Sequence, residues 1–243
     1  KYKDLILQND GEVLTSCKFL NVQNSSGQLV VETTKGEFNS RLLINCGGLQ
    51  SDRIAKKCGA NPTVKIIPFR GEYYKIRNDK EYLVKNLIYP VPDPKFPFLG
   101  VHFTRMIKGG VEAGPNAVLA FKRNGYTYKD ISFGDLSEMF FYPGFWKMAK
   151  QHYAMGINEF RRSFSKSLFV KALQKLVPSI DDNDIVPGGS GVRAQALDKD
   201  GKLVDDFRII ETEKQVHVLN APSPAATASL SIGKYISEIA SKK

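Results

Sequence analysis

The sequence predicts an α+β protein, or α/β in part, in which helices flank an antiparallel sheet. Residues 13–45 and 61–125 show the alternation of apolar and polar residues that is typical of strands. Residues 130–180 instead carry apolar residues three and four positions apart, as helices do. Asn61-Pro62 breaks the chain between the two strand-rich regions and predicts a domain boundary there.

Composition indicates a globular protein and excludes several functional classes. The 243 residues are 42% hydrophobic, enough for one large or two small domains. The net charge of +10 suits an anionic substrate or acidic lipid, but no basic run has interleaved aromatic residues, so nucleic acid is not an expected partner. The three cysteines lack C-x-x-C spacing, which predicts reduced thiols in a cytoplasmic protein, without disulfides. No metal site and no membrane-spanning run are predicted.

The first strand-rich region leads to a glycine turn. KYKDLILQNDGEV begins without methionine and alternates like a strand, so we expect a fragment. Residues 13–45 predict three short strands, the last of which is buried and ends at Gly47-Gly48. Ser51 and Gly59 are the residue types that begin and end a helix. A strand, a glycine pair and a helix bring backbone close to a ligand, although many ordinary αβ turns have this form.

The second region predicts a sheet that shelters a small ligand. VKIIPFRGEYYKI, YLVKNLIYPVP and FPFLGVHFT carry β-branched and aromatic residues at alternating positions. Gly71 follows Arg70 inside a strand, where glycine often marks a close backbone approach. His102 lies between apolar residues, with Arg105 three residues further on. Such a histidine is either a satisfied core residue or a base matched to neutral pH.

Three helices are predicted between Asp130 and Val177, and Pro143 suits the first turn of the second helix. This region has an aromatic and methionine-rich face with basic residues nearby. The face contains Phe141, Tyr142, Phe145, Trp146, Met148 and Met155. Two alternatives stay open: the face packs on the sheet, or it makes a peripheral contact with a membrane.

The region from Pro187 to Tyr235 contains the main candidate for a ligand site. A glycine-rich turn leads to Arg193 on a short extended segment, and two hairpin-like strands follow. The turn N-A-P-S-P is then expected to open a helix of small residues. That helix start suits an electron-rich ligand edge, or it is an ordinary capped helix. Arg193 either binds a carboxylate ligand or pairs internally with Asp205 or Asp206.

Familiar catalytic motifs do not accompany these residues. His152 is expected on a helix surface and His217 on the strand before the N-A-P-S-P turn, so both are weaker candidates than His102. The sequence has no Ser/His/Asp or Cys/His signature in a recognisable context, no G-x-G-x-x-G and no P-loop.

Five segments carry a resemblance to a known family. They are INCGGLQSDRIA, IIPFRGEYYKI, LIYPVPDPKFPFLGVHFTRMIKGGVEAGPNAVLAFKRNGY, GVRAQALDKDGKLVDDF and HVLNAPSPAATASLSIG. Together they resemble the L-2-hydroxyglutarate oxidase/dehydrogenase family, flavoenzymes of the D-amino-acid-oxidase-like, FAD-dependent superfamily. That family begins with a β-α-β unit whose G-x-G-x-x-G holds the FAD pyrophosphate. This sequence departs from the pattern by lacking the unit, so we expect a C-terminal fragment that is inactive by itself.

The resemblance implies FAD as the cofactor and a small dicarboxylate as the substrate. The implied reaction transfers a hydride from carbon 2 of L-2-hydroxyglutarate to flavin N5 and forms 2-oxoglutarate. Arg193 matches the superfamily arginine that grips the substrate α-carboxylate. His102 is the candidate base, and Arg70, Tyr89 and Arg105 are further candidates for substrate contacts. The implied cofactor contacts are Cys46, Gly47, Gly48, Leu49, Gly71, Asn220, Ala221, Pro222, Ser223, Ala225, Ala226 and Thr227.

The resemblance also divides the chain into domains. Residues 1–60 are expected to form part of a Rossmann-like FAD-binding domain, to which residues 198–243 return. Residues 61–197 are expected to form the substrate domain, with a sheet at 61–125 and helices at 130–180. Two alternative functions stay open: oxidation of another small 2-hydroxy or 2-amino acid, and a non-enzymatic module that binds small acids. No motif indicates the electron acceptor.

Overall fold

The structure, a computed structural model, describes residues 1–25, 27–91 and 100–243, and its strands form three sheets. Ser26 and residues 92–99 lie outside the described residues, and the second range includes Pro92 and the predicted strand residues Phe96 to Leu99.

An antiparallel meander forms the first sheet. Its strands are β1 (Phe19–Ser25), β2 (Gln28–Thr33) and β3 (Gly36–Ser40). A short helix, α1 (Tyr2–Gln8), precedes them, so the strand expected at the start of the chain is wrong. Tyr2, Leu5 and Ile6 have the three- and four-residue spacing of a helix face, and Asp4 lies in the first turn, where the helix dipole favours an acid.

The second sheet joins the two ends of the chain. Its strands are β4 (Leu43–Asn45), β10 (Arg208–Glu211) and β11 (Gln215–Asn220), in the order β10-β11-β4. β11 runs parallel to β4 and antiparallel to β10. Helix α2 (Ser51–Lys57) comes after β4, and helix α6 (Ser229–Ala240) comes after β11.

The third sheet is antiparallel and centred on one long strand. Its members are β5 (Val64–Ile76), β6 (His102–Arg105), β7 (Val111–Gly114), β8 (Val118–Leu119) and β9 (Ile185–Asp198). β9 pairs with β5 along almost its whole length. β7 and β8 pair with the other edge of β5, and β6 extends the sheet beyond β7. Arg193 therefore lies within a long paired strand, where the sequence predicts only a short extended segment.

Three helices pack on this sheet. They are α3 (Phe133–Phe140), α4 (Pro143–Phe164) and α5 (Lys166–Leu173). α3 and α4 cover the sheet through Met139, Phe145 and Met148, which contact Ile67 and Leu197. No helix in the described residues combines the length and the apolar composition that crossing a bilayer requires.

The aromatic face predicted around α4 divides between core and surface. Phe145 and Met148 are buried, which agrees with the alternative in which the helix packs on the sheet. Phe141 and Trp146 are 88% and 57% exposed. Packing on the sheet therefore explains only part of this aromatic face.

Two further apolar clusters complete the core. One lies under α5, where Phe169 and Leu173 pack against Phe103 of β6. The other joins the second and third sheets through Ala55 of α2, Ile66 of β5 and Leu219 of β11, among others. Helices on a mainly antiparallel sheet, beside a smaller mixed sheet, confirm the α+β prediction.

Candidate functional site

Two of the predicted cofactor segments leave the second sheet at the same edge. Cys46 to Leu49 follow β4, and Ala221 to Thr227 follow β11, its parallel neighbour. Parallel strands end at one edge of a sheet, which is where ligands of α/β proteins bind. Gly48 has φ of +51°, a left-handed conformation that favours glycine, so the turn depends on this residue.

A buried polar network supports the first of these turns. The Asn45 side chain donates to Ser51 O at 2.8 Å and accepts from Gly47 N at 3.0 Å. His217 Nδ1 lies 3.2 Å from Asn45 Nδ2, and His217 Nε2 lies 2.8 Å from Gln215 Oε1. Burial lowers the pKa of His217, which favours the neutral ring. His217 thus supports the turn through Asn45, and its ring is buried beneath the turn, away from the exposed ligand site.

The C-terminal helix begins later than the sequence predicts. α6 starts at Ser229, and Ala225 to Thr227 form an exposed turn before it. Pro222 and Pro224 disfavour the helical conformation at the residues before them, and Pro224 to Ala228 form a turn closed by a hydrogen bond from Ala228 N to Pro224 O at 3.0 Å. The expectation that N-A-P-S-P opens the helix directly is therefore wrong.

Arg193 and His102 lie near one another on the third sheet. Arg193 is exposed and stands opposite Phe69, so these two side chains share a face of the β5–β9 pair. Burial lowers the pKa of His102, and the positive charge of Arg193 lowers it further. Burial also raises the pKa of Tyr73, while Arg193 opposes that rise. The field of one guanidinium thus reaches both the histidine and the tyrosine.

The His102 ring is held in one orientation. Its Nδ1 lies 3.0 Å from Gly100 O, so Nδ1 carries the proton and donates, which leaves Nε2 as an acceptor. The ring stacks on Tyr89 with centroids 4.3 Å apart, and the Tyr89 hydroxyl lies 3.5 Å from Thr104 Oγ1. A neutral imidazole with one free nitrogen can accept a proton, so the geometry is that of a candidate base.

Arg105 lies away from this group. Strand residues alternate between faces, so Arg105 shares the face of Phe103, which is fully buried under α5. Its Nη1 donates to Val84 O at 2.7 Å. The structure therefore does not bring Arg105 to His102, contrary to the expected substrate contact.

Arg70 is also separated from Arg193. It follows Phe69 in β5 and so faces the other side of the sheet, where it is only 1% exposed. It pairs with Glu72 at 3.1 Å and lies 4.0 Å from the centre of the Tyr128 ring. Glu72 also contacts Asn116, Tyr128 and Ser163. This buried network removes Arg70 from the surface on which a substrate would bind.

Gly71 has its close approach, but to the protein itself. A Cβ at this position would lie 2.7 Å from Pro115 Cβ. The segment around Pro115 therefore lies directly against Gly71. The small residue is explained by packing between β5 and the segment after β7.

Two residues near the site have no counterpart among the sequence predictions. Tyr73 shares the field of Arg193 with His102, and Arg123 contacts the turn after β4 through Leu49 O at 2.7 Å. Tyr73 could have been found from the pair Tyr73-Tyr74: adjacent strand residues point to opposite faces, and Tyr74 packs on Phe169. No local signal marks Arg123, because its partners lie far away in the sequence.

The two turns suit the flat, electron-rich edge of a ring. Their residues are mostly small and uncharged, and Ala225, Ala226, Gly47 and Gly48 are exposed. Exposed backbone and small side chains allow such a ring to approach closely. In the described part of the chain, no three His, Cys, Asp or Glu residues come together as metal ligands do.

Comparison with known sequences gives consistent matches. A family described as FAD dependent oxidoreductase matches residues 1–239. The chain is 54% identical to the L-2-hydroxyglutarate dehydrogenase of Indibacter alkaliphilus, over all of this chain and 61% of that relative. It is 43% identical to the L-2-hydroxyglutarate dehydrogenase of Escherichia coli strain K12, over 93% of this chain and 54% of the relative. The chain thus spans roughly half to three-fifths of these curated relatives.

Solved structures give the same fold at low sequence identity. L-alpha-glycerophosphate oxidase from Mycoplasma pneumoniae, with FAD bound, aligns with 98% of this chain and 54% of its own at a TM-score of 0.69 and 19% identity. Glycine oxidase from Bacillus cereus aligns with 96% of this chain and 52% of its own at a TM-score of 0.59 and 10% identity.

Proposed function

Since this chain belongs to the FAD-dependent oxidoreductase family, we propose that the protein uses FAD to oxidise L-2-hydroxyglutarate to 2-oxoglutarate. The charge of Arg193, which lowers the pKa of His102, carries the proposal, because an exposed guanidinium whose field reaches a neutral imidazole suits a 2-hydroxy acid. The named relatives, with 54% and 43% identity, support this choice of substrate.

Arg193 is the proposed anchor for the substrate α-carboxylate. A guanidinium presents a planar pair of N–H donors that matches the two oxygens of a carboxylate. A hydrogen bond to a charged group contributes about 1.5–3 kcal/mol, enough to orient a small acid. Tyr89 stacks on His102, and Tyr73 lies within the field of Arg193. These two tyrosines are proposed to confine the rest of the substrate.

His102 is the proposed base for the substrate hydroxyl. The bond from Nδ1 to Gly100 O fixes the tautomer in which Nε2 can take the hydroxyl proton. Because the pKa of His102 is lowered, the ring is neutral and ready to accept at neutral pH. Bound FAD supplies the two-electron acceptor for the hydrogen on carbon 2.

The turns Cys46 to Leu49 and Asn220 to Thr227 are the proposed contacts to the flavin. They leave one edge of the second sheet, and exposed backbone N–H groups there would face the electron-rich side of the ring. Gly71 and Arg70 are not part of this proposal, since Gly71 packs against Pro115 and Arg70 is buried beside Glu72.

The domain division is part of the same proposal. The second sheet combines strands from residues 1–60 and 198–243, which supports assigning both segments to the FAD-binding domain. Residues 61–197 carry most of the third sheet and its helices. A cytoplasmic location is proposed from the three free cysteines. Peripheral membrane contact is proposed from the basic charge and the exposed aromatic residues around α4.

Colour and bleaching test the proposed function. Purified complete protein should be yellow, and L-2-hydroxyglutarate added without oxygen should bleach it. The enantiomer D-2-hydroxyglutarate, L-lactate and L-glutamate serve as comparison substrates. Faster bleaching by one of these would favour another 2-hydroxy or 2-amino acid, and a colourless protein would favour the binding module. His102→Asn should abolish fast bleaching in a single turnover, and unchanged bleaching would place the base elsewhere.

A further inference from the structure

We propose that Arg123 is a positioning residue for the cofactor-facing turn at Cys46 to Leu49. The proposal rests on the proposed function, which assigns that turn to FAD. Arg123 lies on the loop after β8, a strand of the third sheet, yet its side chain reaches the turn that follows β4 of the second sheet. It is 3% exposed, so its charge must be met inside the protein.

The guanidinium holds both ends of the connection between the turn and α2. Its Nη1 donates to Leu49 O at 2.7 Å and to Asp52 Oδ1. Its Nη2 donates to Asp52 Oδ2 at 2.8 Å, which completes a two-pronged pair. Asp52 in turn accepts from Ile66 N of β5 at 3.0 Å. One side chain thus fixes the end of the turn, the start of α2 and the central strand of the third sheet.

Arg123 is itself held from the side of α3. Its backbone N donates to Asp135 Oδ2 at 2.7 Å, and its Nη2 lies 3.3 Å from Glu138 Oε2. Arg53 binds the same two carboxylates, at 2.5 Å from Asp135 and 3.1 Å from Glu138. These ion pairs and hydrogen bonds therefore restrain Arg123, and a turn bound to a restrained residue keeps the geometry that ligand binding needs.

Lysine cannot replace this arginine. Four acceptor oxygens surround one planar fork, and an ammonium group at the end of a flexible chain cannot meet them in the same geometry. Arg123→Lys keeps the charge in the interior but should release Leu49 O. The turn should then lose its position before the fold is lost.

The test compares this variant with a matched control in the complete protein. Asp184→Asn is the control: Asp184 is also buried and paired, with Lys80 at 3.1 Å, but it lies by the other end of β5, where Asp184 O accepts from Arg77 N. FAD affinity of the apoprotein, melting temperature and hydrogen exchange of the backbone amides from Gly47 to Gln50 are measured for each protein.

We expect Arg123→Lys to weaken FAD binding about tenfold, the effect of losing one hydrogen bond from a charged donor. Exchange at Gly47 to Gln50 should accelerate in this variant. Asp184→Asn should lower the melting temperature and leave FAD affinity and the exchange of these amides unchanged. If Arg123→Lys lowers only the melting temperature, Arg123 is merely structural and the proposal is overturned.

Asp52→Asn keeps the test decisive if Arg123→Lys does not fold. It removes the charge partner of Arg123 and keeps one acceptor oxygen, so we expect the same changes at smaller size. Unchanged exchange and FAD affinity in a folded Asp52→Asn protein would overturn the proposal. A wild-type protein that binds no FAD would instead contradict the proposed function, and faster exchange in Arg123→Lys would still support the contact between Arg123 and the turn.

Discussion

Arg193 and Arg105 are chemically alike but lie in different settings. Both are exposed, but the charge of Arg193 lowers the pKa of His102, whereas Arg105 lies on the opposite side of its strand from His102 and donates to Val84 O. Both were candidate substrate contacts on the sequence alone. Successive residues of a strand point to opposite faces of the sheet, so the face on which each arginine lies depends on the register of its strand. The sequence alone does not give that register and therefore could not rank the two residues.

Arg193→Lys should raise KM for L-2-hydroxyglutarate and lower kcat/KM about tenfold or more, because lysine cannot grip both carboxylate oxygens. Arg105→Lys is the matched control and should leave KM near the wild-type value. Steady-state kinetics of the complete protein measure both variants. Equal effects of the two substitutions would refute the proposed anchor.

His217 gives the protein a predicted sensitivity to acid. Burial lowers its pKa below the ordinary value of 6.5, so the unfolded chain binds a proton that the folded protein excludes. The stability contributed by the neutral ring is complete above pH 6.5 and is lost as the pH falls through the lower, folded pKa. Urea unfolding from pH 7.5 to 5 should show this decline, and His217→Gln should flatten it. An equally steep decline in the variant would exclude His217 as its source.

Helix α4 shows what a local pattern reveals and what it omits. Its helical spacing and the proline in its first turn could be predicted from the sequence. Its docking could not, since Gly144 fits against Asp198 O only because β9 returns to that place. The long pairing of β5 with β9 and the contacts of Arg123 escaped prediction for the same reason. Each depends on residues that are distant in sequence.

Gly144→Ala should destabilise the protein by about 1–3 kcal/mol, because a Cβ there would collide with the Asp198 carbonyl. Gly156→Ala, in the same helix, is the control: a Cβ at this position meets no atom within 4 Å. That substitution should stabilise by up to about 1 kcal/mol through helix propensity. Urea unfolding measures both, and similar effects would show that α4 does not dock through Gly144.

The molecule as a whole is basic and exposes aromatic residues on one helix. Trp146, Tyr153, Ile157 and Phe164 of α4 are all more than half exposed. Tyr153, Ile157 and Phe164 follow the bend at His152, and their spacing of four and seven residues places them on one side of the helix, whereas Trp146 precedes the bend. The Trp146 indole N–H donates to Phe140 O at 2.7 Å, so its polar group is already satisfied. Such a surface is typical of contact with a lipid interface.

The complete protein should therefore co-sediment with vesicles that contain phosphatidylserine, and less with neutral vesicles. Trp146→Ser together with Tyr153→Ser should reduce binding about fivefold or more, since each buried aromatic side chain contributes strongly to interfacial affinity. Ile107→Ser, at a fully exposed position in the turn after β6, is the control. Equal losses from α4 and from Ile107 would argue against a specific membrane face.

The pairing of β5 with β9 also determines when the third sheet can form during synthesis of the chain. Val64 pairs with Asp198 and Ile76 with Ile185, so the sheet closes across most of the intervening chain. Contacts this remote form slowly, and one edge of β5 stays open until β9 has been synthesised. A ribosome that pauses before residue 185 would hold a chain whose longest strand can pair with another nascent copy. The same strand pair that places Arg193 would thus make late translation the stage at which this protein is most exposed to aggregation.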